Sequence, residues 1–143
     1  MSTSAILRIA AIVAFLFFAG HTAGVPWTPG SEAKSTEIAN LLKSLPVPDI
    51  EPARTYWDFY FGFGLSISVY LCALAVLLWQ TASLSIRYPS AAKPIMLTLF
   101  LSYLFVGILA AKFFFAIPAV SAALVCILIA IAWLHIARGG SVA

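Results

Sequence analysis

Three ionisable side chains stand near the ends of apolar runs, and their types suit acid–base work: His21, Asp58 and Lys112. A histidine beside a carboxylate can move a proton, and a lysine can steady the negative charge that forms. Asp58 lies in Arg54-Thr-Tyr-Trp-Asp-Phe-Tyr-Phe-Gly-Phe-Gly64. A charge in hydrocarbon costs roughly 2 to 3 kcal/mol at mid-depth and less near the interface. Such a carboxylate calls for a partner, and Arg54, His21 and Lys112 are the candidates. Arg54, Trp57, Phe59, Tyr60, Phe63 and Phe113 would line a mostly apolar pocket around this trio. Each member also has a plainer reading. His21 can be an interfacial ring, Lys112 a snorkelling amine, and Asp58 half of a structural ion pair.

The elements that must position these residues follow from composition. Of 143 residues, 63% are hydrophobic and 9% charged, far from the soluble average of about 25% charged. Apolar stretches near the ~20 residues needed to cross a bilayer recur along the chain. They predict an all-α, four-span transmembrane helix bundle forming a single membrane domain over 1–143. The spans fall at about 5–24, 55–82, 94–115 and 118–137, with 25–53 as an extracytoplasmic loop. The first span has a second reading as a signal peptide, because Ile9 to Ala19 matches an apolar h-region and Thr22 and Gly24 are small. The missing A-x-A pattern and the polar His21 favour a retained helix.

Pro26, Pro29, Pro46, Pro48 and Pro52 punctuate the long loop and bracket one short helix within 31–45. There Ile38, Leu41, Leu42 and Leu45 recur at i, i+3, i+4 and i+7, while Glu37, Asn40 and Lys43 remain for water. This amphipathic pattern predicts a helix along the membrane surface. In the second span Tyr56, Trp57 and Tyr60 mark one interface, and Trp79 with Tyr88 the other. Arg8, Arg87, Lys93 and Arg138 fall on one side of a four-span chain, which predicts cytoplasmic termini. His21, Asp58 and Lys112 then share the outer side. Asp58, Gly62 and Ser66 recur every four residues and are expected to face the bundle, with Gly64 and Ser68 on an adjacent face. Tyr103, Gly107 and Ala111 repeat that spacing in the third span.

Several chemistries are disfavoured. Counting ~1.5 Å per residue, Cys72 and Cys126 lie at depths too different for a disulfide, and neither belongs to a Cys-x-x-Cys pair. His21 and His135 fall at opposite faces, so no metal site is expected. No phosphate loop or nucleophile elbow occurs, and no spacing specifies a cofactor. The net charge of +3 is dispersed at span ends, which argues against nucleic acid. Span centres of Ala, Leu, Ile, Val and Phe argue against a coupled carrier.

Arg8-Ile-Ala-Ala, Phe18-Ala-Gly-His-Thr22, Tyr56-Trp-Asp-Phe-Tyr-Phe-Gly-Phe-Gly64 and Ala75-Val-Leu-Leu-Trp-Gln80 resemble segments of small four-helix bacterial inner-membrane proteins, distantly DoxX-like. The resemblance covers the first two spans and implies a four-span fold without a reaction. Two functions remain open. One is a protein that binds a lipophilic small molecule at the outer leaflet, with acid–base chemistry by His21, Asp58 and Lys112. The other is a non-catalytic scaffold or accessory subunit that packs its small-residue stripes against a partner membrane protein or a second copy. Lipid is a partner in both.

Overall fold

A computed structural model describes residues 1–24 and 31–139. Pro26 and Pro29, expected to open the loop, lie outside them. The described chain is helical: α1 (Thr3–Ala23), α2 (Ala33–Ser44), α3 (Tyr56–Arg87), α4 (Pro89–Phe113) and α5 (Ala116–Ala137). Four of these, α1, α3, α4 and α5, are long and apolar enough to cross a membrane. The chain is a multi-pass, all-helical membrane protein, as its composition predicts. Contacts divide it into two compact units, residues 1–18 with 71–143, and residues 19–70.

The first unit draws its core from all four long helices, and their buried positions share one spacing. Thr3, Leu7, Ala10 and Ala14 are buried on α1, and Leu71, Ala75, Leu78, Ala82 and Ser85 on α3. On α4 the seam holds Ala92, Met96, Leu99 and Tyr103, with Ala110 buried seven residues on, and on α5 Ala122, Val125, Ile129 and Ala132, with Cys126 buried beside it. Steps of three and four alternate throughout. That 3.5-residue period keeps one seam of each helix inward and is the pattern of left-handed helix packing. Alanine fills many of the seam positions, which lets backbones approach where lipid gives helices no hydrophobic reason to associate.

The helix ends depart from the expected spans for local reasons. Helix α3 continues to Arg87, and α4 begins at Pro89 after the single residue Tyr88. Pro89 suits a first helical position, where its fixed φ helps and its missing N–H would have had no partner. Pro94, expected to open the third span, instead lies inside α4. Thr3 Oγ1 lies 3.0 Å from His135 Nδ1, bringing the start of α1 to the last turn of α5. The Arg8 guanidinium lies 5.4 Å from the centre of the Trp79 ring, which ties the same end of α1 to α3.

In residues 19–70, α2 is fastened to the start of α3 by a narrow loop. Val47 N–H donates to the Arg54 carbonyl at 2.8 Å, and Tyr56 N–H to the Leu45 carbonyl at 3.2 Å. Asp49 turns this loop at φ 59°, a left-handed conformation that Asp tolerates better than most residues. Helix α2 buries Ala39 and leaves Ile38, Leu41 and Leu45 exposed. Lys43 is exposed, as its place on the polar side of α2 predicts, and its amine lies 4.8 Å from the centre of the Trp57 ring.

Candidate functional site

Thr55-Tyr-Trp-Asp58 forms a reciprocal cap at the head of α3. Asp58 Oδ2 accepts from the Thr55 N–H at 2.7 Å and from the Thr55 hydroxyl at 2.9 Å, while Asp58 N–H donates to Thr55 Oγ1 at 3.2 Å. A helix leaves its first four N–H groups without intrahelical acceptors, and this arrangement supplies one of them. The carboxylate also meets the positive end of the helix dipole. Asp58 is exposed. At ~1.5 Å per residue the 32-residue α3 is about 48 Å long, against ~30 Å of hydrocarbon, so the chain can hold this end outside the core.

The inward face of early α3 is offset from the expected one. Gly64 and Ser68 are buried, whereas Asp58 and Ser66 are exposed and Gly62 is half-buried. Within residues 19–70, His21 Nε2 lies 3.3 Å from the Gly64 carbonyl, and the Thr22 hydroxyl donates to Ser68 Oγ at 3.0 Å. Polar residues on the last turn of α1 thus meet the small-residue stripe two positions along from the predicted one. Ser66 turns its hydroxyl back to the Gly62 carbonyl at 2.9 Å, satisfying itself within α3. The imidazole and the carboxylate engage different stretches of α3, since Gly64 is six residues, or about 9 Å of helix, from Asp58.

The other predicted residues are mostly exposed. Phe59, Tyr60 and Phe63 are exposed. Trp57 is half-buried, with Tyr60 and Phe61 at ring-centre distances of 5.6 and 6.5 Å. Arg54 is exposed, with a guanidinium N–H 3.4 Å from the Ala53 carbonyl. Lys112 and Phe113 belong to the other unit, at the end of α4, where both are exposed and the amine lies 5.1 Å from the neighbouring ring centre. No cluster of three His, Cys, Asp or Glu side chains suited to a metal ion occurs among the described residues.

An apolar groove of about 630 Å³ lies between α4 and α5. Gly107 and Ala111 of α4 and Ala119, Ala123 and Ala130 of α5 form its small-residue wall, and Leu104 and Ile127 stand at its sides. A Cβ at Gly107 would come 3.4 Å from the Ala122 Cβ, so the two helices pass here at about van der Waals contact. Tyr103 also borders the groove, and its buried hydroxyl has no hydrogen-bond partner among the described residues. The Tyr103, Gly107 and Ala111 spacing marked one wall in the sequence. The α5 wall was hidden because nearly every residue there is small or aliphatic. The Thr55/Asp58 cap was readable as Thr-x-x-Asp before an apolar run, a signature of helix starts. No protein-family model, curated protein or solved structure matches this chain.

Proposed function

We infer that this protein is a non-catalytic membrane scaffold or accessory subunit that receives a transmembrane helix of a partner protein on its α4–α5 face. The observation that carries the reading is the small-residue groove between those helices. Association within lipid depends on van der Waals packing, and grooves floored by Gly and Ala allow the closest approach of another backbone. The polar residues favour the same reading over ligand chemistry. Asp58 caps its own helix and His21 reaches a backbone carbonyl, so both groups serve the fold. The membrane is a bacterial inner membrane with both termini in the cytoplasm, an orientation supported by the basic residues at one end of the helices.

The test fills the groove without touching the buried seam. Ala111 and Ala123 are exposed, and leucine at both positions should leave helicity and thermal stability in detergent close to those of the parent. Native mass spectrometry of full-length protein extracted under mild conditions should show a stoichiometric partner with the parent and a loss of about tenfold or more with A111L/A123L. A complex of two identical copies lost in that variant would make the partner a second copy. A complex indifferent to both leucines would overturn the reading.

A further inference from the structure

We propose that the groove between α1 and α3 is a binding site for an anionic phospholipid, with Arg8 holding the phosphate and one acyl chain lying along the helices. Five basic residues, Arg8, Arg87, Lys93, Lys112 and Arg138, occur in residues 1–18 and 71–143, and that unit contains no Asp or Glu at all: Glu32, Glu37, Asp49, Glu51 and Asp58 all lie in 19–70. No carboxylate side chain of this unit therefore competes with an outside anion for these cations.

Arg8 is the cation with a built surrounding. It is exposed, and its guanidinium lies over the Trp79 indole at 5.4 Å from the ring centre. A guanidinium over an indole face is held by the ring and keeps N–H groups for a phosphate, which a planar fork of donors matches well. Directly beyond it opens an apolar groove of about 270 Å³ whose walls are Ile12, Phe15 and Leu16 of α1 and Val76 and Trp79 of α3. Ala11 and Ala75 are small enough to leave the floor low. Arg8, Ile12 and Leu16 recur every four residues, so the groove runs along α1 from the cation toward the helix middle.

The depths agree with a lipid and disagree with a soluble anion. Arg8 is five residues, or about 8 Å, from the first residue of α1, a depth from which a long arginine side chain extends its guanidinium back to the headgroups. Trp79 belongs at that level by its amphipathic ring. A phosphate at Arg8 then sits at headgroup depth while the groove accepts methylenes below it. A zwitterionic headgroup brings a second cation toward Arg8, so the site prefers a net negative lipid. Anionic headgroups are worth about 1 kcal/mol, roughly fivefold in affinity, per basic side chain near the surface.

The experiment uses the full-length protein in neutral detergent, titrated separately with phosphatidylglycerol, phosphatidylcholine and inorganic phosphate and read by native mass spectrometry. The expected result is a retained phosphatidylglycerol adduct at least fivefold tighter than phosphatidylcholine, and none from phosphate. Arg8→Gln should remove that preference, and Arg8→Lys should restore part of it, because the charge returns without the fork. Val76→Phe, which narrows the groove, should weaken long-chain phosphatidylglycerol but not a water-soluble short-chain analogue. Circular dichroism identifies any variant that fails to fold, and Val76→Phe then gives the deciding comparison. Equal binding of the two lipids, a preference that survives Arg8→Gln, one that disappears equally with Arg87→Gln, or capture of free phosphate would each overturn the proposal.

Discussion

At the scale of single residues, the buried and capped polar groups make opposite demands. Thr55 and Asp58 satisfy each other through three hydrogen bonds at the start of α3. Removing either partner breaks the same device, so the two substitutions should couple. Thr55→Ala should destabilise the protein by about 1 kcal/mol, as for other N-cap losses. Asp58→Ala should lower the melting temperature in detergent too, and the double variant should melt little below Thr55→Ala alone. Additive losses would separate the carboxylate from the cap. Tyr103 is the converse case. Its hydroxyl is buried without a partner among the described residues, and leaving such a group unmade costs ~1–3 kcal/mol. Tyr103→Phe keeps the ring and deletes that cost, so the melting temperature should rise or hold. A clear fall would mean that the hydroxyl is hydrogen-bonded in the membrane.

At the scale of elements, legibility tracked the strength of the physical signal. Long apolar runs have one stable form in lipid, since a helix satisfies its backbone internally, and all four expected spans are helices. Their ends were harder to place. Pro94 reads as a start, yet α4 begins five residues earlier because Pro89 fits the first turn as well and a one-residue connection closes the gap. The inward face of early α3 was read one stripe away because Asp58-Gly62-Ser66 and Gly64-Ser68 have the same spacing. Only the contacts from His21 and Thr22 distinguish them. Helix α2 shows what its own pattern means. Ala39 faces the protein and Ile38, Leu41 and Leu45 remain exposed, an apolar side suited to lie a few ångströms into the headgroup boundary. Single cysteines at 38 and 41, spin-labelled in vesicles, should relax with oxygen dissolved in lipid, whereas labels at 37 and 40 should respond to a water-soluble paramagnet. Uniform aqueous exposure would remove α2 from the membrane surface.

At the scale of the molecule, the distribution of charge is what the proposed orientation rests on. In the unit of residues 1–18 and 71–143, the start of α1 meets the last turn of α5 through Thr3 and His135, and reaches α3 through Arg8 and Trp79. Tyr88 alone joins α3 to α4. Those helix ends therefore gather on one side and bring Arg8, Arg87, Lys93 and Arg138 with them. The opposite connection, between α4 and α5, carries Lys112 and a run of phenylalanines. Within that unit the count is four cations against one, while the connection between α1 and α3 adds Lys34, Lys43 and Arg54 among the four carboxylates Glu32, Glu37, Asp49 and Glu51. The basic residues of 1–18 and 71–143 are therefore the ones whose removal tests the topology. Reporter fusions at both termini should be active only in the cytoplasm. Ser44, exposed at the end of α2, lies in the long connection between the first two spans. Ser44→Cys should accordingly react with an impermeant maleimide from outside intact cells. If the basic residues direct insertion, Arg87→Gln with Lys93→Gln should produce a minority of inverted molecules, and adding Arg8→Gln should enlarge that fraction. The inverted molecules would be counted by protection of the introduced thiol from the same reagent. Unchanged labelling in the triple variant would assign orientation to the apolar spans themselves rather than to these cations.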